Sequence, residues 1–260
     1  MKKHTICSLL TLASLLFTGC VGTPTIPFQD VLTTAPLFRT LDKLKIEEEF
    51  DEVGTSSLSQ EAQQELKAVE KSSANEKRVL LEIEKGDAFF AKNDLDTAIA
   101  CYGHAIRLDP INVDAYYKRA IAQGKLKNVA AEIADYGTVI QLDVDHAEAH
   151  NRLGVSYANQ GNIDIAITNF SEAIRINPEF VEAYNNRAVA FANQGKIDKT
   201  ITDLTQAIKL NPDNPDAYFN RAIIYNNTQQ FDAAIKDFTE TIRANPEHAR
   251  AYMSLSLIHI

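Results

Sequence analysis

A spacing of 34 residues governs this chain. From Ala147 to Phe180 it reads AEAHNRLGVSYANQGNIDIAITNFSEAIRINPEF, and the same arrangement returns in both directions at that step. A unit of this length cannot bury its apolar face alone, so the copies must stack into a quasi-one-dimensional array. Inside the unit, Leu153, Gly154 and Tyr157 lie on one face at helical spacing. Gly161-Asn162 breaks that helix. Ala166, Phe170 and Ala173 mark a second amphipathic helix, and Asn177-Pro178 stops it, because proline lacks an N–H and biases its predecessor away from the helical region. Gly154 and Ala166 are small enough to let the two backbones close on each other.

Five full copies follow: 79–112, 113–146, 147–180, 181–214 and 215–248; a partial sixth, or a C-terminal helix, spans 249–260. The small slot of the first helix holds Gly86, Ala120, Gly154, Ala188 and Ala222. The aromatic slot of the second holds Tyr102, Tyr136, Phe170, Leu204 and Phe238, and the stop holds Pro110, Val144, Pro178, Pro212 and Pro246. The second copy is irregular, with Gln123, Glu132, Val139 and Val144 off the pattern. A carboxylate at Glu132, in a close-packing slot, needs a partner or water; Arg119 and Lys125 are the candidates, and the departures read either as drift on a tolerant surface or as a locally opened or bent joint. The pattern over 79–260 resembles the tetratricopeptide repeat. That resemblance implies an all-α, right-handed superhelical solenoid of helix-turn-helix pairs, whose first helices line a concave groove.

Three rows face that groove. One reads Glu84, Lys118, Arg152, Asn186, Asn220, Ser254; the second Asp87, Ile121, Val155, Val189, Ile223, Leu257; the third Ile83, Tyr117, Asn151, Asn185, Phe219, Met253. The expected peptide-binding residues are Tyr117, Lys118, Ile121, Asn151, Arg152, Val155, Asn185, Asn186, Val189, Phe219, Asn220 and Ile223. An asparagine amide carries both a donor and an acceptor, so it can meet the backbone of an extended peptide whatever its sequence. Asn186 and Asn220 resemble the asparagine ladder in the repeat domain of O-linked N-acetylglucosamine transferase. Lys118 and Arg152 are placed either to receive an acidic segment or to pair with Asp114 and Glu148 one turn back. The two-lysine clamp of chaperone-binding relatives is not matched, since Ile83 and Asp87 stand at its first-copy positions.

The N-terminus reads as an address. Lys2 and Lys3 precede an apolar run from Ile6 to Phe17, too short to span a bilayer and fit for secretion. Phe17-Thr18-Gly19-Cys20 resembles the lipobox of bacterial lipoproteins. By that resemblance residues 1–19 are a signal peptide, Cys20 is lipidated, and Val21 favours the outer membrane, with the protein facing the periplasm. Residues 20–57 carry no repeat; Pro24, Pro27 and Pro36 and the acidic run Glu47-Glu48-Glu49 mark a tether. Ser57 with Gln60 resembles a capping box, and a capping helix is expected over 58–78.

The net charge of −9 argues against nucleic acid as a partner. There is no Walker loop, G-x-S-x-G, H-E-x-x-H or paired-cysteine motif, so no catalytic, cofactor or metal residues are assigned. His146 and His150, four apart, straddle the joint between copies rather than sharing one helix. The terminal Leu255, Leu257, Ile258 and Ile260 have no covering helix, and an exposed apolar end is expected, a surface for homo-oligomerisation or for docking a partner. The functional expectation is a non-enzymatic adaptor lipoprotein of the bacterial envelope that binds protein segments in the groove. Two resemblances compete within it: lipoproteins that gather peptidoglycan hydrolases and proteases, and pilotins that assist secretins and pili. A structural, self-associating protein is the remaining alternative.

Overall fold

The computed structural model describes residues 60–258. The signal, lipidation and tether positions, including Cys20, lie outside the described residues, as do Ser57 and Leu58 of the expected cap. Among the described residues the regular structure is helix alone.

A long helix, α1 (Gln60–Ala91), runs without interruption through the span of the expected cap and the first helix of copy 1. Ala68–Ile260 forms one compact unit. In it α1 is followed by α2 (Leu95–Leu108), α3 (Val113–Lys125), α4 (Val129–Leu142), α5 (Ala147–Asn159) and α6 (Ile163–Ile176). Then come α7 (Val181–Asn193), α8 (Ile197–Leu210), α9 (Pro215–Asn227), α10 (Phe231–Ala244) and α11 (Ala249–Ile258). From α3 onward, first helices of 13 residues alternate with second helices of 14, up to the ten-residue α11. The architecture is a solenoid of paired helices.

Each unit has two turns, and each recurs from copy to copy with its own chemistry. Between first and second helix, Asn93, Lys127, Gly161, Gly195 and Gln229 share one slot and one left-handed conformation, φ 60° to 81°. The next residue donates its N–H five residues back, as in Asn162 to Tyr157 O at 2.9 Å and Gln230 to Tyr225 O at 2.8 Å, closing the helix in a Schellman-type cap. Glycine adopts this conformation freely; Lys127 and Gln229 adopt it at a cost of about 1 kcal/mol each. Each second helix ends on an extended Asp or Asn: Asp109, Asp143, Asn177, Asn211 and Asn245. Each of these side chains accepts the N–H two residues on, at 3.0–3.3 Å.

That second device explains why copy 2 does not open. Val144 replaces the proline, yet Asp143 holds the same extended backbone (φ −136°), and α4 has the length of its counterparts. Of the two readings of copy 2, the opened joint is not the one this backbone adopts. The core repeats as well: Tyr102, Tyr136, Phe170, Leu204 and Phe238 are fully buried against the small slot. A Cβ added at Gly86 or Gly154 would sit 2.4 Å from the Tyr102 ring or 2.6 Å from that of Phe170, so a larger residue at these two sites requires the buried ring to move.

Candidate functional site: the groove of first helices

The inward side chains of α3, α5, α7 and α9 are joined by a hydrogen-bonded ladder with a step of 35 residues. Arg152 Nε donates to Tyr117 Oη at 2.9 Å, Asn186 Nδ2 to Asn151 Oδ1 at 3.0 Å, and Asn220 Nδ2 to Asn185 Oδ1 at 3.0 Å. The step is one residue longer than the repeat because each row pairs with its neighbouring row on the preceding copy. Neither asparagine pair is saturated. Asn151 and Asn185 keep free amide N–H groups, while Asn186 and Asn220 keep free carbonyl oxygens. Each pair thus offers one donor and one acceptor to the groove, which is the complement of a peptide unit.

Beside the ladder runs an aliphatic floor. Val155 and Val189 are 37% and 42% exposed, and Ile121 and Ile223 are half-buried. Two expected contacts sit deeper than a row assignment suggests. Asn151 is only 7% exposed, and Phe219 is buried with its ring 5.8 Å from Phe238.

The two cations are consumed. Lys118 Nζ lies 2.6 Å from Asp87 and 3.8 Å from Asp114. Arg152 is held by Tyr117 and, at 3.4 Å, by Glu148. Burial, and then Glu148 beside it, push the Tyr117 phenol up to about 12, so it stays protonated.

Glu132 meets neither expected partner. Arg119 is bound bidentately by Asp135 at 2.7 and 2.8 Å, and Lys125 lies 4.0 Å from the centre of the Phe90 ring. The carboxylate instead rests against Gly124, where a Cβ would come within 2.7 Å of it. Burial raises its pKa above the ordinary glutamate range; the Ser156 hydroxyl and the Arg152 charge offset this only in part. Glu132 shares a cleft of about 400 Å³ with Asn151, Arg152, Val155, Asn185 and Asn186. The sequence marks Glu132 as a misfit in a packing slot, but the row analysis of first helices could not place it in this cleft, because it belongs to a second helix.

A further set of buried pairs lies behind the groove. Arg187 clasps Asp203 at 2.8 and 2.9 Å, and Arg221 clasps Asp237 at 2.7 and 2.9 Å, as Arg119 clasps Asp135. Arg187 also donates to Ser171 and Arg221 to Thr205, on the second helix of the copy before. These arginines therefore tie successive copies together. Arg119, Arg187 and Arg221 recur in register with Asp135, Asp203 and Asp237, so the signal was present in the sequence but lay outside the small and aromatic slots.

Among the described residues no group of three or more His, Cys, Asp or Glu could hold a metal, and no helix is long and apolar enough to cross a membrane. His146 caps α5 by accepting the Ala149 N–H at 3.2 Å, and His150 is buried. Family models make the same assignment as the geometry. One described as "TPR repeat" matches residues 86–127, 156–195 and 190–229, and one described as "Tetratricopeptide repeat" matches 227–260. The chain belongs to the tetratricopeptide repeat family.

Solved tetratricopeptide repeat structures superimpose on it over most of their length. MamA is 25% identical, with a TM-score of 0.59 over 64% of this chain and 96% of that one. YrrB, described as having an unusual peptide-binding site, is 20% identical, with a TM-score of 0.57 over 73% and 96%. PilF of Pseudomonas aeruginosa is 16% identical, with a TM-score of 0.62 over 68% and 81%. The last two likenesses are of fold alone. No curated protein matches the sequence. Tetratricopeptide repeat solenoids are typically scaffolds for protein–protein interaction through the concave groove.

Proposed function

We propose that this protein is a non-enzymatic adaptor of the bacterial envelope that holds extended protein segments in its concave groove. The observation that carries the reading is the half-used asparagine ladder. Asn151–Asn186 and Asn185–Asn220 fix each other's orientation and leave one donor and one acceptor per pair. Prepositioned amides lose little entropy on binding, and they grip main chain rather than sequence. Val155 and Val189 add apolar contact between the pairs.

The envelope placement rests on Phe17-Thr18-Gly19-Cys20 after its apolar run, with Cys20 as the lipid anchor, Val21 directing the protein to the outer membrane, and the repeats 79–248 as the binding part. Clients in this reading are peptidoglycan hydrolases or proteases. A pilotin-like role in secretin or pilus assembly uses the same groove and anchor. The likeness to PilF in fold keeps it as the second reading. Self-association through α11 is a third, since Met253 and Leu257 are 64% and 72% exposed there. Leu255 and Ile258 are less available, because both pack against the Phe219–Phe238 cluster.

The test is a crosslinked pull-down from native envelopes, comparing the intact chain with an Asn151→Ala, Asn186→Ala, Asn220→Ala variant of unchanged helicity. Partners held by the first and lost by the second are expected. The same partners on both would move the site out of the groove, and self-crosslinks alone would favour the structural alternative. For the anchor, labelled palmitate should enter the wild-type protein in cells and be lost in Cys20→Ser; label retained by that variant would refute lipidation at Cys20.

A further inference from the structure

The cleft between α5, α7 and α9 has a charge that the first-helix rows conceal. Four carboxylates line it, Glu132, Glu148, Glu182 and Asp216, against one guanidinium, Arg152. Arg152 is already committed to Tyr117 and Glu148. Glu182 and Asp216 open α7 and α9 as Glu148 opens α5, but Asn186 and Asn220 stand where Arg152 would face them. Among the described residues, Glu132, Glu182 and Asp216 have no cation within ion-pair distance.

Two observations set this apart from an acidic surface. Glu132 occupies a slot that holds Ala98, Ala166, Thr200 and Ala234 in the other copies, and Gly124, opposite it, leaves its carboxylate the place from which a Cβ at 2.7 Å would displace it. The two departures occur together, so the carboxylate is housed rather than merely tolerated. Independently, Asn151 lines the same cleft with its Oδ1 held by Asn186, while its Nδ2 donates to no described group and is left for solvent or a ligand. An amide N–H already oriented by its partner can take a ligand carbonyl at little entropic cost. The cleft therefore calls for a ligand that supplies a carbonyl oxygen to Asn151 and a positive charge to Glu132, Glu182 and Asp216.

We propose that this cleft receives a lysine or arginine side chain of an extended segment whose main chain lies along the asparagine ladder. The partner is accordingly a basic segment, not the acidic one that Lys118 and Arg152 suggest by sequence alone. A free carboxylate there would meet Glu132, Glu182 and Asp216, none of them in an ion pair among the described residues, and like charges at this range are disfavoured. The inference rests on the groove-binding reading above and adds the charge class of the bound segment.

The experiment uses the full chain as bait and a phage-displayed random dodecapeptide library as the probe. Recovered peptides are expected to share lysine or arginine at one aligned position, several-fold above its frequency in the library. A Glu132→Gln, Glu182→Gln, Asp216→Asn variant, near-isosteric at each site, is expected to select peptides still but to lose that position. Replacing the shared lysine of one selected peptide by norleucine should weaken its binding to wild type roughly tenfold. Peptides enriched without a basic position, or with an acidic one, overturn the inference and leave the groove reading standing. So does a basic position that survives in the variant. No enrichment of any peptide overturns the groove reading and this inference together.

Discussion

At position 132 a glutamate fills a slot that alanine or threonine fills in the other four copies, and the fold absorbs it by placing glycine at 124. Its carboxyl pKa is raised by burial, so the native state disfavours the charged form. The sign of the pH effect follows. For an acid with a raised folded-state pKa, the stability it contributes is intact below the unfolded-state value and is lost as pH rises through the folded one. Glu132→Gln should therefore raise Tm at pH 7, on the order of 1–2 °C once solvent screening is allowed for, and the gain should vanish toward pH 4. Thermal melts at both pH values check this; an equal gain at both would assign the effect to packing. If Glu132 serves the cleft, the same substitution loses selectivity while it gains stability, the trade expected of a binding residue.

At the scale of the helix pair, two kinds of interaction hold the copies, and they differ in how readily a sequence reveals them. The small and aromatic slots recur visibly, and from them the helix order and the helix-turn-helix pairing could be read before any coordinates. The Asp and Asn stops and the left-handed turn residues were harder to see, because Lys127 and Gln229 disguise a glycine position and Val144 disguises a proline position. The Arg–Asp pairs were missed since they do not extend to every copy. In copy 3 the slots hold Leu153 and Asn169, and in copy 1 Lys85 and Cys101. Copy 3 thus supplies a natural control. Arg187→Leu should cost about 3 kcal/mol, because it leaves Asp203, 7% exposed in its side chain, without its cation. Adding Asp203→Asn, which reproduces the copy 3 pair, should recover at least half of that loss. Urea unfolding of both single variants and the double, followed by far-UV circular dichroism, reads the coupling; additive losses would show that the pair does not act as a unit.

Across the whole array of first helices, the row assignment could name candidate groove residues but not their roles. Rows can place Asn186 over the groove. They cannot show that it spends its N–H on Asn151, that Lys118 is neutralised by Asp87, or that Asn151 and Phe219 sink below the surface. Those outcomes depend on the lateral offset of one copy against the next, which turns a 34-residue repeat into a 35-residue ladder. The result is a surface of valines and half-paired amides with a carboxylate-lined cleft, suited to gripping a strand of another protein. The most direct test places a photo-crosslinking amino acid at Val155, at Val189 and, as a control on the exposed outer side of α6, at Ile165, in cells making the full chain at native levels. The account predicts the same client protein crosslinked from Val155 and Val189 and none from Ile165. Crosslinks from Ile165 alone, or none from either valine while Met253 or Leu257 yields one, would contradict it.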